Sequence, residues 1–463
     1  MTSPFHTAYS ILNFCILMRI AIIGTGYVGL VSGACFAEMG ASVTCLDKDA
    51  HKINQLRNGI IPLYEPGLTA MVTRNLSQGR LAFESKPEQV LNNADIFFIA
   101  VGTPSQPDGQ ADLSSIEAVA RQIGQNLQHD TVIVVKSTVP PGTCHRLKKI
   151  IEEEIRLRAG DASFELAFNP EFLKEGSAIK DFMSPDRIII GADTSKAVRI
   201  LQKLYAPFML KNDRLLVMDT VSAEMSKYVS NSMLAARISL MNEISRLCEA
   251  VGADICRVRE GVGSDTRIGN SFLYAGCGYG GSCFPKDIRA LIRTANEHGV
   301  TMDILEAVEQ CNQQQKRFLI GKVKKAVAQT SRDQSSTVAL WGFSFKPETD
   351  DIREAPAMAL IEELLKDGIR LRVYDPAAMD STRQRWEEAL YYADDMYDAA
   401  SGADVLVLTT EWKEFRLPDW KNVYRSMASR HIVDGRNIYC RSDLEAWGFT
   451  YQGIGCSSTV DLP

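Results

Sequence analysis

A run of three glycines constrains this chain more than anything else in it. Arg19–Ile23 is a short apolar stretch of β character. It ends in Gly24-Thr25-Gly26-Tyr27-Val28-Gly29, and a helical pattern, LVSGACFAEMG, follows at once. A second apolar strand, Ser42–Leu46, closes on Asp47. Strand, glycine turn, helix and strand together predict a βαβ unit. In such a turn the first glycine (Gly24) allows the tight bend. The second (Gly26) lets a pyrophosphate approach the backbone, and the third (Gly29) lets helix and strand pack closely. Amide N–H groups and the helix dipole then hold the phosphates. Asp47 lies close to the roughly 20-residue spacing expected for an acid that binds ribose hydroxyls. A carboxylate there repels a 2′-phosphate and favours NAD over NADP, with Lys48 and Lys52 as the counter-indication.

The alternation continues. Apolar runs at Ile96–Val101, Thr131–Lys136 and Leu166–Phe168 alternate with helical patterns such as Leu113–Leu127. This predicts a parallel sheet with helices on both faces. A long helix is expected from about Ser222 to Val251, capped by Thr220 or Ser222, favoured by Glu224 in its first turn and stopped by Gly252. Its apolar positions Met225, Val229, Leu240, Ile244, Leu247 and Val251 exceed what one buried stripe needs, so a homodimer or higher homo-oligomer is expected. The polar stretch Gln329–Thr337 marks a boundary, after which strands and helices alternate again from Val338. The expected class is α/β, with two Rossmann-like domains joined by a long central helix and a helical middle region. The expected divisions are 1–17, an extension read as a non-native or alternative start; 18–205, a dinucleotide-binding Rossmann domain; 206–325, a central helical domain; and 326–463, a second Rossmann-like domain. The second block lacks the glycine fingerprint. Its turn reads Gly342-Phe343-Ser344-Phe345-Lys346-Pro347, whose bulky residues block a pyrophosphate. Lys346 and Arg353 suggest a different anionic ligand held by side chains.

Composition narrows the function. No Lys/Arg-rich run stands out among 51 basic and 57 acidic residues, which argues against nucleic acid as a partner. The apolar stretch before Met18 is too short to span a membrane. Eleven scattered cysteines without a CxxC pair suit reduced cytoplasmic thiols. Six unclustered histidines add no zinc-like spacing, and no metal is expected.

The densest chemistry lies in Gly276-Cys277-Gly278-Tyr279-Gly280-Gly281-Ser282-Cys283-Phe284-Pro285-Lys286-Asp287. Cys283 stands between a glycine-rich loop and a helix start marked by Pro285. A helix N-terminus and a neighbouring cation, Lys286, both favour a thiolate nucleophile. Asp287, four residues on, shares that helix face and can take a proton or orient water. Pairing of Cys277 with Cys283 in a redox switch is the alternative. Lys227 and Asn231 share one face of the long helix and can hold a substrate oxygen as charge develops. Glu171 and Glu175, in Asn169-Pro170-Glu171-Phe172-Leu173-Lys174-Glu175, and Thr138, in Lys136-Ser137-Thr138-Val139-Pro140, follow strands of the first sheet. Ligands bind at that end of an open sheet.

Together GTGYVGL, NPEFLKEG, the K-x-x-x-N helix, GYGGSCFPKD and FKPETDDIRE resemble the UDP-glucose/GDP-mannose dehydrogenase family, over nearly all the chain from Met18 onward. The resemblance implies an NAD-dependent four-electron oxidation of a nucleotide sugar, UDP-glucose to UDP-glucuronate. Such a product feeds polysaccharide synthesis. The same chemistry on GDP-mannose or a UDP-amino sugar is the alternative. A two-electron β-hydroxyacid-type dehydrogenase and a non-catalytic nucleotide-sugar sensor are more distant ones. By the same resemblance Cys283 is the nucleophile, passing through a thiohemiacetal and a thioester, and Asp287 assists water and proton transfer. Lys227, with Asn231, stabilises oxyanions; Thr138 and Glu171 order a water, Glu171 being a candidate base; Glu175 lies between cofactor and substrate. Val28, Asp47, Lys52, Thr103, Thr138, Lys286 and Arg353 would contact NAD. Glu171, Phe172, Leu173, Lys174, Glu175, Phe272, Leu273, Tyr274, Ala275, Gly276, Gly280 and Lys346 would hold the sugar nucleotide, with Arg267 and Arg436 as weaker candidates. The N-terminal extension falls outside the family pattern, and the stretch FLYAG at 272–276 is variable in it.

Overall fold

The computed structural model describes residues 18–209, 214–330 and 336–456. Residues 1–17, expected above to be a non-native or alternative start, lie outside the described residues. Packing divides the chain into two compact units. One runs to Ser230 and includes Arg289–Thr294; the other comprises Asn231–Ile288 and the chain from Ala295 onward.

In the first unit eight strands form one sheet: β1 (Arg19–Ile23), β2 (Ser42–Leu46), β3 (Leu81–Glu84), β4 (Ile96–Ile99), β5 (Thr131–Val135), β6 (Phe164–Phe168), β7 (Ile188–Ala192) and β8 (Leu215–Met218). Their order is β3-β2-β1-β4-β5-β6-β7-β8. The first six follow the doubly wound order and are parallel. Every residue of β4 and β5 is buried, as expected for strands covered by helices on both faces. The all-parallel expectation needs one correction. β7 runs antiparallel to β6 and meets it only through Ala167↔Ala192 and Phe168↔Gly191. The chain turns back just beyond the carboxyl end of β6, so the loop that begins at Asn169 starts at the edge where an open sheet binds ligands.

The helices that position functional side chains are α1 (Tyr27–Glu38), α2 (Thr143–Leu157), α3 (Thr220–Val251), α4 (Phe284–Glu297), α5 (Asp303–Gln329) and α6 (Pro356–Lys366). α3 has 32 residues, about 48 Å at 1.5 Å per residue. Its expected caps are corrected. Thr220 is already helical, and Asp219 Oδ1 accepts from the Ser222 amide at 2.8 Å. Glu224 does not serve the first turn of its own helix either. Buried, it accepts from the amides of Gly142 (2.6 Å) and Cys144 (2.8 Å) and so caps α2. The cap residue of α2 is Gly142, which has no side chain to do this itself.

The second unit repeats the plan. β9 (Thr337–Trp341), β10 (Arg370–Tyr374), β11 (Tyr391–Tyr392), β12 (Val405–Leu408), β13 (His431–Asp434) and β14 (Thr450–Gly453) pair in the order β11-β10-β9-β12-β13-β14. All are parallel, in the same doubly wound relationship. α5 and α6 pack on this sheet through Leu319, Val323, Leu360, Ile361 and Leu364. Two Rossmann-like sheets with a helical middle region are as the sequence predicts.

Candidate active site

The glycine turn of the first unit is built as its spacing requires. Gly24 has φ +102°, and a Cβ there would lie 2.6 Å from the Ala100 carbonyl oxygen. A Cβ on Gly29 would lie 1.9 Å from the Gly24 oxygen. Both positions exclude any side chain. Gly26 differs, because a Cβ there would meet nothing within 4 Å. The space over it is free for a ligand at the N-terminus of α1, which suits a pyrophosphate. Val28 packs half-buried against the core. Asp47 accepts from the Thr25 amide (2.9 Å) and hydroxyl (2.7 Å) and from the Asp49 amide (3.1 Å). Burial opposes its ionisation, yet these donors and Lys52 at 3.6 Å hold its carboxyl below the usual range. An anion on a half-open edge fits the hydroxyls of a ribose, and Lys52 is engaged with Asp47 itself.

The corresponding acid of the second unit is closed. Gly342 N–H donates to the Tyr374 carbonyl at 2.8 Å, as Gly24 N–H does to Leu46 at 2.7 Å. Asp375, just after β10, accepts from the Phe343 (2.8 Å) and Ser344 (3.0 Å) amides. It also accepts from the Ala377 and Ala378 amides and from the Trp412 indole. It is buried, so it has no edge left for a ligand.

Thr103 and Thr138, from the loops after β4 and β5, are brought together: the Thr103 hydroxyl donates to the Thr138 carbonyl at 2.7 Å. Glu171 and Lys227 form a buried ion pair at 2.9 Å, and Glu171 also accepts from the Leu173 amide at 2.6 Å. Burial alone would raise the Glu171 carboxyl; Lys227 and this amide overcome it and hold it low. Phe172 lies under Arg187, 3.7 Å from its ring centre, and 5.3 Å from the Lys227 ammonium. Leu173 packs toward the core, whereas Lys174 is exposed and paired with Asp181 at 3.2 Å. Glu175 is half-buried.

In the second unit Cys283 is exposed and stands at the N-cap of α4, with Pro285 in the first turn. Its sulfur lies 3.6 Å from the Ser282 hydroxyl. One turn on, Asp287 is buried. Its two oxygens accept from the Asn231 amide and the Lys286 ammonium, each at 2.6 Å. Cys277 is buried, and its thiol points to the Thr409 carbonyl. Neither it nor Cys283 is in a disulfide, nor is any other of the ten described cysteines.

The stretch 272–276 alternates its faces. Phe272, Tyr274 and Gly276 line a cavity of about 350 Å³, while Leu273 and Ala275 are buried in the core. Tyr279, Phe284 and Phe345 add aromatic walls, and Lys346, Arg436 and Glu411 add charge. Gly280 also lines it, and a Cβ there would lie 2.5 Å from the Glu354 carbonyl. Arg436 is fastened by the Thr409 (2.7 Å) and Phe345 (3.0 Å) carbonyls. Arg267, a weaker candidate for the sugar nucleotide, is not among these walls, and Arg353 is an expected NAD contact rather than a wall. Arg267 is exposed and paired with Asp265, and Arg353 is exposed and paired with Asp351 at 2.7 Å.

Family models match three segments of the chain. Residues 18–209 match the NAD binding domain of the UDP-glucose/GDP-mannose dehydrogenase family, 221–314 its central domain and 339–441 its UDP binding domain. The chain belongs to this family. A UDP-glucose 6-dehydrogenase of Pseudomonas aeruginosa is 49% identical over 443 residues, covering 95% of this chain and 97% of the relative. One of Rhizobium meliloti is 45% identical over 441 residues, covering 95% and 99%. Among solved structures, a UDP-glucose dehydrogenase from Pyrobaculum islandicum superposes with a TM-score of 0.86 at 37% identity, covering 95% of this chain and 98% of that one.

This dehydrogenase-family chain also uses residues that the motifs did not single out. The Tyr27 hydroxyl donates to Glu65, and the Gly176 amide donates to both, at 2.9 and 2.6 Å. The start of α1 is thereby tied to the loop carrying Glu171. Lys136, buried beneath that loop, donates to Asn169 Oδ1 at 3.0 Å, and Tyr205 donates to the same oxygen at 2.5 Å. A lysine or glutamate at such positions gives no sequence signal, because its partners are far along the chain.

Proposed function

We propose that this chain oxidises the primary alcohol of UDP-glucose to the carboxylate of UDP-glucuronate in two NAD-dependent steps, with Cys283 as covalent nucleophile. The observation that carries this reading is an exposed thiol at the start of a helix, one turn from a buried, doubly bonded aspartate. NAD, when bound, accepts one hydride in each oxidation. The Gly24–Gly29 turn would hold its phosphates, Asp47 its ribose hydroxyls, and Thr103 and Thr138 the neighbouring edge.

The thiol answers a chemical need. After the first oxidation the aldehyde has no alcoholic hydrogen to lose. Addition of Cys283 Sγ to the carbonyl carbon forms a C–S bond and a thiohemiacetal, which can be oxidised again. The product is a thioester. Water then adds to the acyl carbon, the C–S bond breaks, and the thiol is restored with release of the acid. Asp287, fixed by Asn231 and Lys286, would accept a proton from that water. The Lys227 ammonium would balance negative charge on the substrate oxygen. Glu171, kept anionic by Lys227, would order water together with Thr138. The aromatic, cation-bearing cavity around Phe272 and Lys346 suits a base and a diphosphate.

Met233, Leu240 and Leu247 recur every seventh residue on α3 and are 60%, 57% and 56% exposed. A self-complementary apolar stripe of this kind supports a homodimer. No described helix is long and apolar enough to cross a membrane, and the free thiols support a cytoplasmic setting.

The deciding experiment measures NADH formed per molecule of limiting UDP-glucose. Two NADH are expected. One would mean that oxidation stops at the aldehyde and would remove the role given to Cys283. None would redirect the substrate to GDP-mannose or a UDP-amino sugar.

A further inference from the structure

The second unit contains a thiol cluster that the proposed oxidation does not use. The helix Ile255–Gly263 follows α3, and Asp254 caps it, accepting from the Cys256 (2.7 Å) and Arg257 (3.3 Å) amides. The chain returns to this point just after β14. Asp254 and Cys456 form an isolated antiparallel bridge, and the Ile255 amide donates to the Gly455 carbonyl at 3.0 Å. One sulfur each from Cys256 and Cys456 and one carboxylate oxygen from Asp254 lie within 4.8 Å of one another, all on half-buried residues.

The surrounding backbone is held in place. Gly455 has φ +69°, and a Cβ there would lie 2.7 Å from Ser245 Cβ and 2.9 Å from Ile255 Cβ. Only glycine lets Cys456 come this close to Cys256. Its amide donates to Glu249 at 2.8 Å. Asn437 brackets Ile454, donating to its carbonyl at 2.7 Å and accepting from its amide at 2.8 Å. Arg441 donates to the Cys456 carbonyl at 3.3 Å. A frame pinned on three sides keeps the ligand atoms together without a ligand's help.

Two thiols and a carboxylate form a donor set for a thiophilic dication. Magnesium and calcium require oxygen ligands, whereas zinc takes cysteine sulfur with an aspartate oxygen, and water can complete a tetrahedron. Metal loading must release the thiol protons.

We propose that Asp254, Cys256 and Cys456 form a site for a thiophilic divalent cation of the zinc type, fastening the chain after β14 to the segment after α3. The site is independent of the role proposed for Cys283. Sequence spacing could not reveal it, because the two cysteines lie far apart in the chain.

The test uses the full chain, reduced, stripped with a chelator and titrated with cobalt(II), whose thiolate complexes show charge-transfer absorption. One cobalt per chain, displaced by zinc, is expected. The band is lost in Cys256→Ser and Cys456→Ser but kept in Cys283→Ser. Asp254→Asn keeps both thiols and a capping oxygen. It should weaken cobalt binding by more than ~10-fold, since even changes outside the ligand shell cost about 10–100-fold. NADH formation by the two serine variants checks that they fold. A band that survives both of them, its absence from a chain whose thiols are reduced, or isolation of the protein with a Cys256–Cys456 disulfide overturns the proposal.

Discussion

Asn231 and Lys286 bind opposite oxygens of the Asp287 carboxylate, each at 2.6 Å. Asp287 is thereby held in one orientation, one turn from Cys283. Removing a buried donor to a charged group costs about 1.5–3 kcal/mol. Asn231→Ala is therefore expected to lower kcat by roughly 10–100-fold and to lower the melting temperature. Cys283→Ser should leave the melt unchanged and abolish acid formation. Steady-state kinetics with product analysis, beside thermal melts, check both. An Asn231→Ala enzyme with wild-type kcat would refute the positioning of Asp287.

The Lys227–Glu171 pair is almost wholly buried, at 4% and 7% side-chain exposure. Lys227→Met leaves a buried carboxylate without its cation, which costs about 3–5 kcal/mol. Glu171 is held below the ordinary carboxylate range. The pair's stabilisation is therefore complete above that range and is lost only as falling pH protonates Glu171 in the fold. The double variant Lys227→Met with Glu171→Leu should recover much of the stability and none of the activity. Urea midpoints of the three proteins separate these outcomes.

Gly24 and Gly26 provide a matched test of the cofactor turn. Gly24→Ala is strained by both its positive φ and the Ala100 carbonyl, so it should destabilise the fold. Gly26→Ala meets open space and should change stability by no more than about 0.5 kcal/mol, yet raise the KM for NAD strongly. Equal loss of stability in the two variants would contradict the division of roles.

Lys136 gives a pH-dependent test. It has no carboxylate within ion-pair distance among the described residues, and burial pushes it down from 10.5 to about 8. Between those values the unfolded chain keeps a proton that the folded chain releases, so stability rises with pH; below that window both states are protonated and the burial penalty is complete. Relative to Lys136→Met, the wild-type unfolding free energy should rise by roughly 3 kcal/mol across the window, at about 1.36 kcal/mol per unit. Urea titrations on either side of it measure this, and a constant difference would show that Lys136 keeps its proton in the fold as it does in the unfolded chain.

Local patterns were readable where the physics is local. The buried runs of β1, β4 and β5 and the Gly24–Gly29 turn carry their own signal. β3 and β14 do not: Leu81–Glu84 and Thr450–Gly453 are short and partly polar. Glu224 shows the general difficulty. A glutamate near a helix start reads as a favourable charge on that helix, but here it reaches α2, whose cap is a glycine. The Lys227–Glu171 and Asn231–Asp287 partnerships were equally invisible, although all four residues were singled out one by one. Arg267 and Arg353, which the family resemblance implies as ligand contacts, are each engaged by an aspartate two residues before them.

Asp375 carries one last consequence. Six donors already occupy it, including the Ser344 hydroxyl and the Trp412 indole, so the second sheet's turn is a sealed joint. Whatever binds in this unit must be gripped by side chains rather than by the turn's backbone, such as those of Phe272, Lys346 and Arg436. Its preference for one base over another can then drift by exchanging those few projections. The sheet that supports them need not change, and the folding of the unit is insulated from the evolution of its taste.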